Sequence, residues 1–167
     1  MIPRAGVLKR LAESADVPVV VVAAPAGFGK TTAVALWAES DDRPVGWVQL
    51  GPVDDDPVHL IRHIAAAVHL VEPLDPHVLR VLTGGGRAID TDLLPSLGHT
   101  IGGREPMVLV LDDGHLLTSG GALPALQELI AYLPARAQLI VVCRHSPEIH
   151  LARRRLDGGA VEIGPED

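Results

Sequence analysis

Asparagine is absent from the chain, cysteine occurs once, and no apolar run approaches the roughly 18 residues that a membrane span requires. The lone Cys143 excludes an internal disulfide and makes a reducing compartment the simpler setting; within its apolar run it reads as a small buried hydrophobe. Nothing near the N-terminus joins a basic start to an apolar core and a small-residue cleavage site, so a soluble, cytoplasmic protein is expected. Basic residues are scarce as well. Against 21 Asp and Glu stand 14 Lys and Arg, a net charge of -7, without the basic stripe that displaces counterions from nucleic acid. Direct nucleic-acid binding by this chain is therefore not expected. What the chain does hold is apolar content, 47% of 167 residues, enough for the core of one compact domain.

The most informative stretch runs from Val17 to Ser40. A valine run between Pro18 and Pro25 reads as a strand buried on both faces, and Ala, Leu and Trp after the following loop lie at helical spacing. Between them Ala24 to Thr31 has the form A-x-x-x-x-G-K-T, a phosphate loop with Ala24 where glycine is usual. Gly27 and Gly29 let the backbone bend and bring N–H groups close to a phosphate, while the next helix directs its positive end at the same point. Ala26, Gly27, Phe28 and Gly29 thus form an anion cradle. Lys30 is placed to reach the β- and γ-phosphates, Thr31 to offer its hydroxyl to Mg²⁺, and Thr32 to donate to the α-phosphate.

Around this stretch the pattern alternates. Val7, Leu8, Leu11 and Ala12 predict a short amphipathic helix over 5–14, and Val45 to Leu50 a second strand in which Trp47 is core. Asp54, Asp55 and Asp56 precede Pro57, the signature of an N-cap with proline at the first helical position; that explains them better than a metal set. The helix from Pro57 to about Leu70 carries His59 and His63 at i,i+4, read as a solvated polar face because no third zinc ligand accompanies them. A short helix over 74–82, a glycine loop at Gly84, Gly85 and Gly86, and a helix around Leu93 to Ile101 follow. Met107 to Leu111 and Gln138 to Cys143 read as strands three and four, with a helix from Leu123 to Leu133 between them. A last helix over 149–156 contains Arg153, Arg154 and Arg155, a solvated end, and Ala160 to Ile163 is a weak fifth strand. The expected fold is α/β: a three-layer P-loop NTPase with a five-stranded, mostly parallel sheet covered by helices on both faces.

A parallel sheet binds ligands at the carboxyl ends of its strands. Strand three ends in Asp112-Asp113, the pattern of a Walker B site, where the first carboxylate holds Mg²⁺ through water and the second orients or deprotonates the attacking water. Strand four ends in Arg144, which fits a γ-phosphate sensor or, alternatively, a surface arginine. The guanine-reading Asn-Lys-x-Asp signature is impossible without asparagine, leaving adenine as the expected base.

Pro25 to Thr32 followed by Trp37-Ala38, then Trp47 to Leu50 with Asp56-Pro57, Val110 to His115, and Arg144 with Leu151 to Arg153 resemble one family. It is the nucleotide-binding domain of MalT-like, LuxR-type large ATP-binding transcription regulators, in the STAND class of signal-transducing P-loop ATPases. The resemblance covers nearly the whole chain and is carried by the ordered combination, since the phosphate loop alone is common to many ATPases. It implies that residues 1–167 form the P-loop nucleotide-binding domain, a truncated core of a longer multidomain regulator. DNA contact would then fall to a C-terminal domain absent from this chain. It also implies that ADP holds a closed resting form, while ATP with an inducer yields a self-associated, activating form. The family's loop often has Ala or Ser where Ala24 stands.

The expected function is an ATP/ADP-binding switch with slow Mg²⁺-dependent hydrolysis. Its rivals are a stand-alone P-loop ATPase or phosphotransferase and a degenerate interaction domain. Lys30, Thr31, Asp112 and Asp113 together oppose the last.

Overall fold

Burial on both faces decides the architecture. In the computed structural model, which describes residues 4–84, 93–101, 103, 105–146 and 156–166, the valine run forms β1 (Val19–Ala23), and every residue of it is buried. The strands β2 (Val45–Gln49), β3 (Met107–Asp112), β4 (Ala137–Cys143) and β5 (Ala160–Ile163) complete one sheet in the order β2-β3-β4-β1-β5. All four pairings are parallel. Residues of β3 and β4 are also buried throughout, which explains their lack of polar alternation.

The period-two geometry of the strands sorts their side chains onto two faces. Val19, Val21, Leu109 and Leu111 pack beneath α3 (Pro57–Val71), α4 (Pro76–Thr83), α5 (Leu93–Thr100) and α6 (Leu123–Tyr132). Val20, Val22, Val110 and Ile140 meet α1 (Arg4–Glu13) and α2 (Lys30–Ser40) on the other face, where Trp37 is buried and Trp47 packs against the same cluster. The result is the expected three-layer α/β P-loop NTPase fold. The helix expected over 149–156, its three arginines, and Gly85 and Gly86 lie outside the described residues, apart from Leu156. No helix among the described residues is long and apolar enough to cross a membrane.

One expectation is corrected. Of the three aspartates before Pro57, only Asp56 caps α3, accepting from the N–H groups of Val58 and His59 at 2.9 and 3.0 Å. Asp54 is buried, takes the Gly51 N–H at 2.8 Å, and lies 3.1 Å from Nδ1 of His63, which with His59 remains exposed on the polar face expected of it. Asp54 and Asp55 belong to an unexpected single turn of 3₁₀ helix, Pro52–Asp55. Asp55 reaches across the molecule to accept from the Thr118 N–H and hydroxyl, each at 2.7 Å, and from the Ala122 N–H at 3.2 Å. Three separate partners, local and distant, divide what the sequence presents as one cluster.

Asp55 also sets an acid limit on stability. Burial raises its pKa, but the hydrogen bonds from Thr118 and Ala122 outweigh that and hold it below the ordinary value of 3.8. A depressed folded pKa makes its contribution whole above 3.8 and lost as pH falls from there through the lower folded value. Asp55→Asn should cost about 1–2 kcal/mol at neutral pH, and the gap from wild type should narrow in acid. Denaturant melts at pH 7 and pH 3 check this; a gap independent of pH would refute it.

At the opposite, amino ends of the strands, Gln138 is buried and ties three segments together. Its Nε2 donates to the carbonyls of Ser14 at 2.6 Å and Val17 at 2.9 Å, and its Oε1 accepts from Arg43 at 2.8 Å. Arg43 is held in turn by Asp41, to which its guanidinium donates twice and its backbone N–H once, and lies over the ring of Trp37.

Candidate functional site

The strand order places β4 between β1 and β3, so the residues that follow these three strands share one edge of the sheet. After β1, the Ala24 N–H donates to the Cys143 carbonyl at 3.2 Å and the methyl is buried. Ala24 thus carries the β1–β4 hydrogen bonding one residue past β1, and so the first loop position does without glycine. Gly27 and Gly29, at φ 81° and 75°, occupy the left-handed region that strains other residues. The Gly29 carbonyl accepts from the Ala33 N–H and opens α2. Ala26 and Gly27 are exposed at the crest, and Phe28 is half-buried against the α1/α2 cluster. Lys30 Nζ donates to the Pro25 carbonyl at 2.9 Å, folding over the loop, and Thr32 is exposed on the first turn of the helix.

Thr31 and Asp112 lie 81 residues apart in the chain, yet the Thr31 hydroxyl donates to Asp112 Oδ1 at 3.2 Å. That carboxylate is only 2% exposed and also accepts the Asp113 N–H at 2.9 Å. Two hard oxygen donors this close fit Mg²⁺, which takes one or two protein oxygens and completes its shell with water and phosphate. Asp113 follows in the left-handed conformation, φ 58° and ψ 35°. Gly114 is next and packs so tightly on β4 that a Cβ there would collide with Val141.

Two residues whose types and spacing in the sequence suggest no role complete the arrangement. Gln49, paired with Asp112 in the β2–β3 register, donates through Nε2 to Asp113 Oδ2 at 2.7 Å. His115 sits with its Nδ1 3.8 Å from Asp113 Oδ1, and this buried nitrogen has no hydrogen-bond partner among the described residues. Burial first, then the charge of Arg144, holds the His115 pKa below its ordinary value against the pull of Asp113, so the ring is neutral near pH 7. Their only signal in the sequence is position, one at the end of β2 and the other just after the paired aspartates.

Arg144 stands exposed immediately after β4, on the side of the sheet edge where its charge acts on His115. Cys143 just before it is buried, and burial with the Glu162 charge pushes its thiol up to about 12. It is a packing residue, inert at neutral pH. Thus Lys30, Thr31, Asp112 and Asp113 converge, and Arg144 lies at the neighbouring strand end.

No protein-family model matches the chain. It is 27% identical over 174 residues to the HTH-type transcriptional regulator MalT of Serratia proteamaculans (strain 568), a match covering 95% of this chain and 18% of that protein. It is likewise 27% identical over 162 residues to MalT of Yersinia pestis (strain Pestoides F), over 94% of this chain and 18% of that one. The chain therefore spans about a fifth of the length of these curated relatives. Among solved structures, a Walker-type ATPase of Pyrococcus abyssi aligns with a TM-score of 0.56 at 14% identity, over 98% of this chain and 54% of that chain. At such identity the likeness concerns the fold, which is that of P-loop NTPases.

Proposed function

We propose that this MalT-like P-loop ATPase domain binds Mg²⁺ with ATP or ADP at the edge formed by β1, β3 and β4, and acts as the nucleotide switch of a LuxR-type, STAND-class transcription regulator. The observation that carries the reading is the Thr31–Asp112 hydrogen bond. The phosphate loop and the paired aspartates come from distant parts of the chain, and this bond sets two hard oxygen donors side by side where Mg²⁺ could take both.

Each residue then has a task. The backbone N–H groups from Ala26 to Gly29 cradle phosphate, Lys30 exchanges the Pro25 carbonyl for phosphate oxygens, and Thr32 donates to the α-phosphate. Thr31 and Asp112 would hold Mg²⁺, which when bound neutralises charge on the β- and γ-oxygens. Asp113 orients the attacking water, and Arg144 meets the γ-phosphate. Hydrolysis is slow, so that binding differences between ATP and ADP set the balance of conformations. In the whole cytoplasmic regulator, ATP would favour self-association, and DNA contact would fall to another domain.

Titration with ATP and ADP, with and without Mg²⁺, tests the site. Binding should tighten with Mg²⁺, and Asp112→Asn should remove most of that gain while leaving metal-free affinity within about twofold. No binding at millimolar nucleotide would dismiss the proposal. Fast multiple turnover by the chain alone would favour an independent ATPase or phosphotransferase instead.

A further inference from the structure

Asp112 and Asp113 are chain neighbours with opposite allegiances. Asp112 is bonded to Thr31, on the side of the phosphate loop. Asp113 is bonded to Gln49 on β2, and the strand order places β2 on the far side of β3 from β4 and β1. Gln49 thus draws the second carboxylate away from the place where phosphates would lie. Its side chain is exposed and is not part of either core cluster, so packing gives no account of it.

On the other oxygen of Asp113 the situation is reversed. His115 Nδ1 is buried and lacks a hydrogen-bond partner among the described residues, and its distance of 3.8 Å is just beyond bonding range. Buried ring nitrogens are rarely left unbonded, so the fold holds an unused bonding position a short side-chain swing from the carboxylate. His115 lies on the β4 side of Asp113, its ring 6.1 Å from that of His145, two residues past the end of β4.

We propose that Gln49 and His115 are two alternative partners for Asp113. Bonded to Gln49, the carboxylate is held off the phosphate site; transferred to His115, it is placed to orient the attacking water. Gln49 is then a positioning residue that restrains turnover, and His115 one that supports it. The inference rests on the reading of Asp113 as the water-orienting group.

The test measures ATP binding and single-turnover hydrolysis by the full chain with Mg²⁺. Gln49→Ala should raise the rate roughly tenfold with affinity changed by less than about twofold. Gln49→Asn, which keeps an amide, should fall between the two. The gain should vanish in Gln49→Ala/His115→Ala and in Gln49→Ala/Asp113→Asn, a dependence that a merely structural role for Gln49 would not produce. Normal ATP binding with no gain in Gln49→Ala, or a gain that survives loss of Asp113, overturns the two-partner device and leaves the nucleotide site standing. Failure of the wild-type chain to bind ATP overturns both.

Discussion

Lys30→Ala should weaken nucleotide binding by a factor on the order of 100, with little effect on folding. The ammonium now donates to one neutral acceptor, the Pro25 carbonyl at 2.9 Å. Phosphate oxygens offer it charged acceptors. Hydrogen bonds of that kind contribute about 1.5–3 kcal/mol each, against about 0.5–1.5 for a neutral pair. Two charged hydrogen bonds in exchange for one neutral bond leave a net of about 1.5–5.5 kcal/mol, and about 1.4 kcal/mol is tenfold in affinity. Lys30→Arg should recover only part of the loss, because a planar fork does not replace a compact point charge inside a tight loop. Calorimetric titration with Mg²⁺–ATP reads both variants, and a thermal melt confirms that they fold. Unchanged affinity in a folded Lys30→Ala protein would rule out this loop as the phosphate site.

The parts of the site that could be read from the sequence are those whose chemistry is local. Gly27, Gly29, Lys30 and Thr31 are consecutive enough for spacing to imply a cradle, and the valine run before them has no polar alternation because both faces of β1 are buried. Asp112 and Asp113 are legible for the same reason, at the end of an apolar run. Gln49 is not, because its role appears only when β2 pairs with β3 and sets it opposite Asp112. Asp54, Asp55 and Asp56 show the reverse problem. Local rules offer an N-cap for the whole cluster, and Asp56 obeys, but Asp55 finds its donors 63 and 67 residues away, at Thr118 and Ala122. Tertiary hydrogen bonds decide between equally acidic neighbours, and no periodicity encodes them.

His115 combines both situations. It stands within three residues of the paired aspartates, yet what distinguishes it is a buried Nδ1 left without a partner among the described residues, a property of packing. The same contrast separates the two ends of the sheet. At the carboxyl ends polar side chains are exposed or poised for change, whereas at the amino ends the Arg43–Gln138 group is closed and satisfied.

That closed group carries the second large expectation: Gln138→Leu should destabilise the fold by about 2–4 kcal/mol without altering nucleotide affinity. Leucine keeps the apolar volume of the side chain, so the loss cannot be put down to a cavity. What disappears is three hydrogen bonds made by a side chain that is itself only 3% exposed. The Ser14 carbonyl keeps the Val17 N–H at 2.9 Å, but the Val17 carbonyl loses its donor from Gln138. Arg43 retains Asp41 and the Ala15 carbonyl and loses its acceptor on β4. The lost bonds are worth about 0.5–1.5 kcal/mol each to the two carbonyls and about 1.5–3 to the guanidinium, and a domain of this size loses roughly 2–4 °C of Tm per kcal/mol, so a fall near 10 °C is expected. Gln138 is the second residue of β4 while the phosphate loop lies at the carboxyl ends, so the folded fraction of the variant should bind Mg²⁺–ATP like wild type. A wild-type melting temperature would show that the buried network is replaceable by packing alone; lost affinity in a folded variant would show that the two ends of the sheet are coupled.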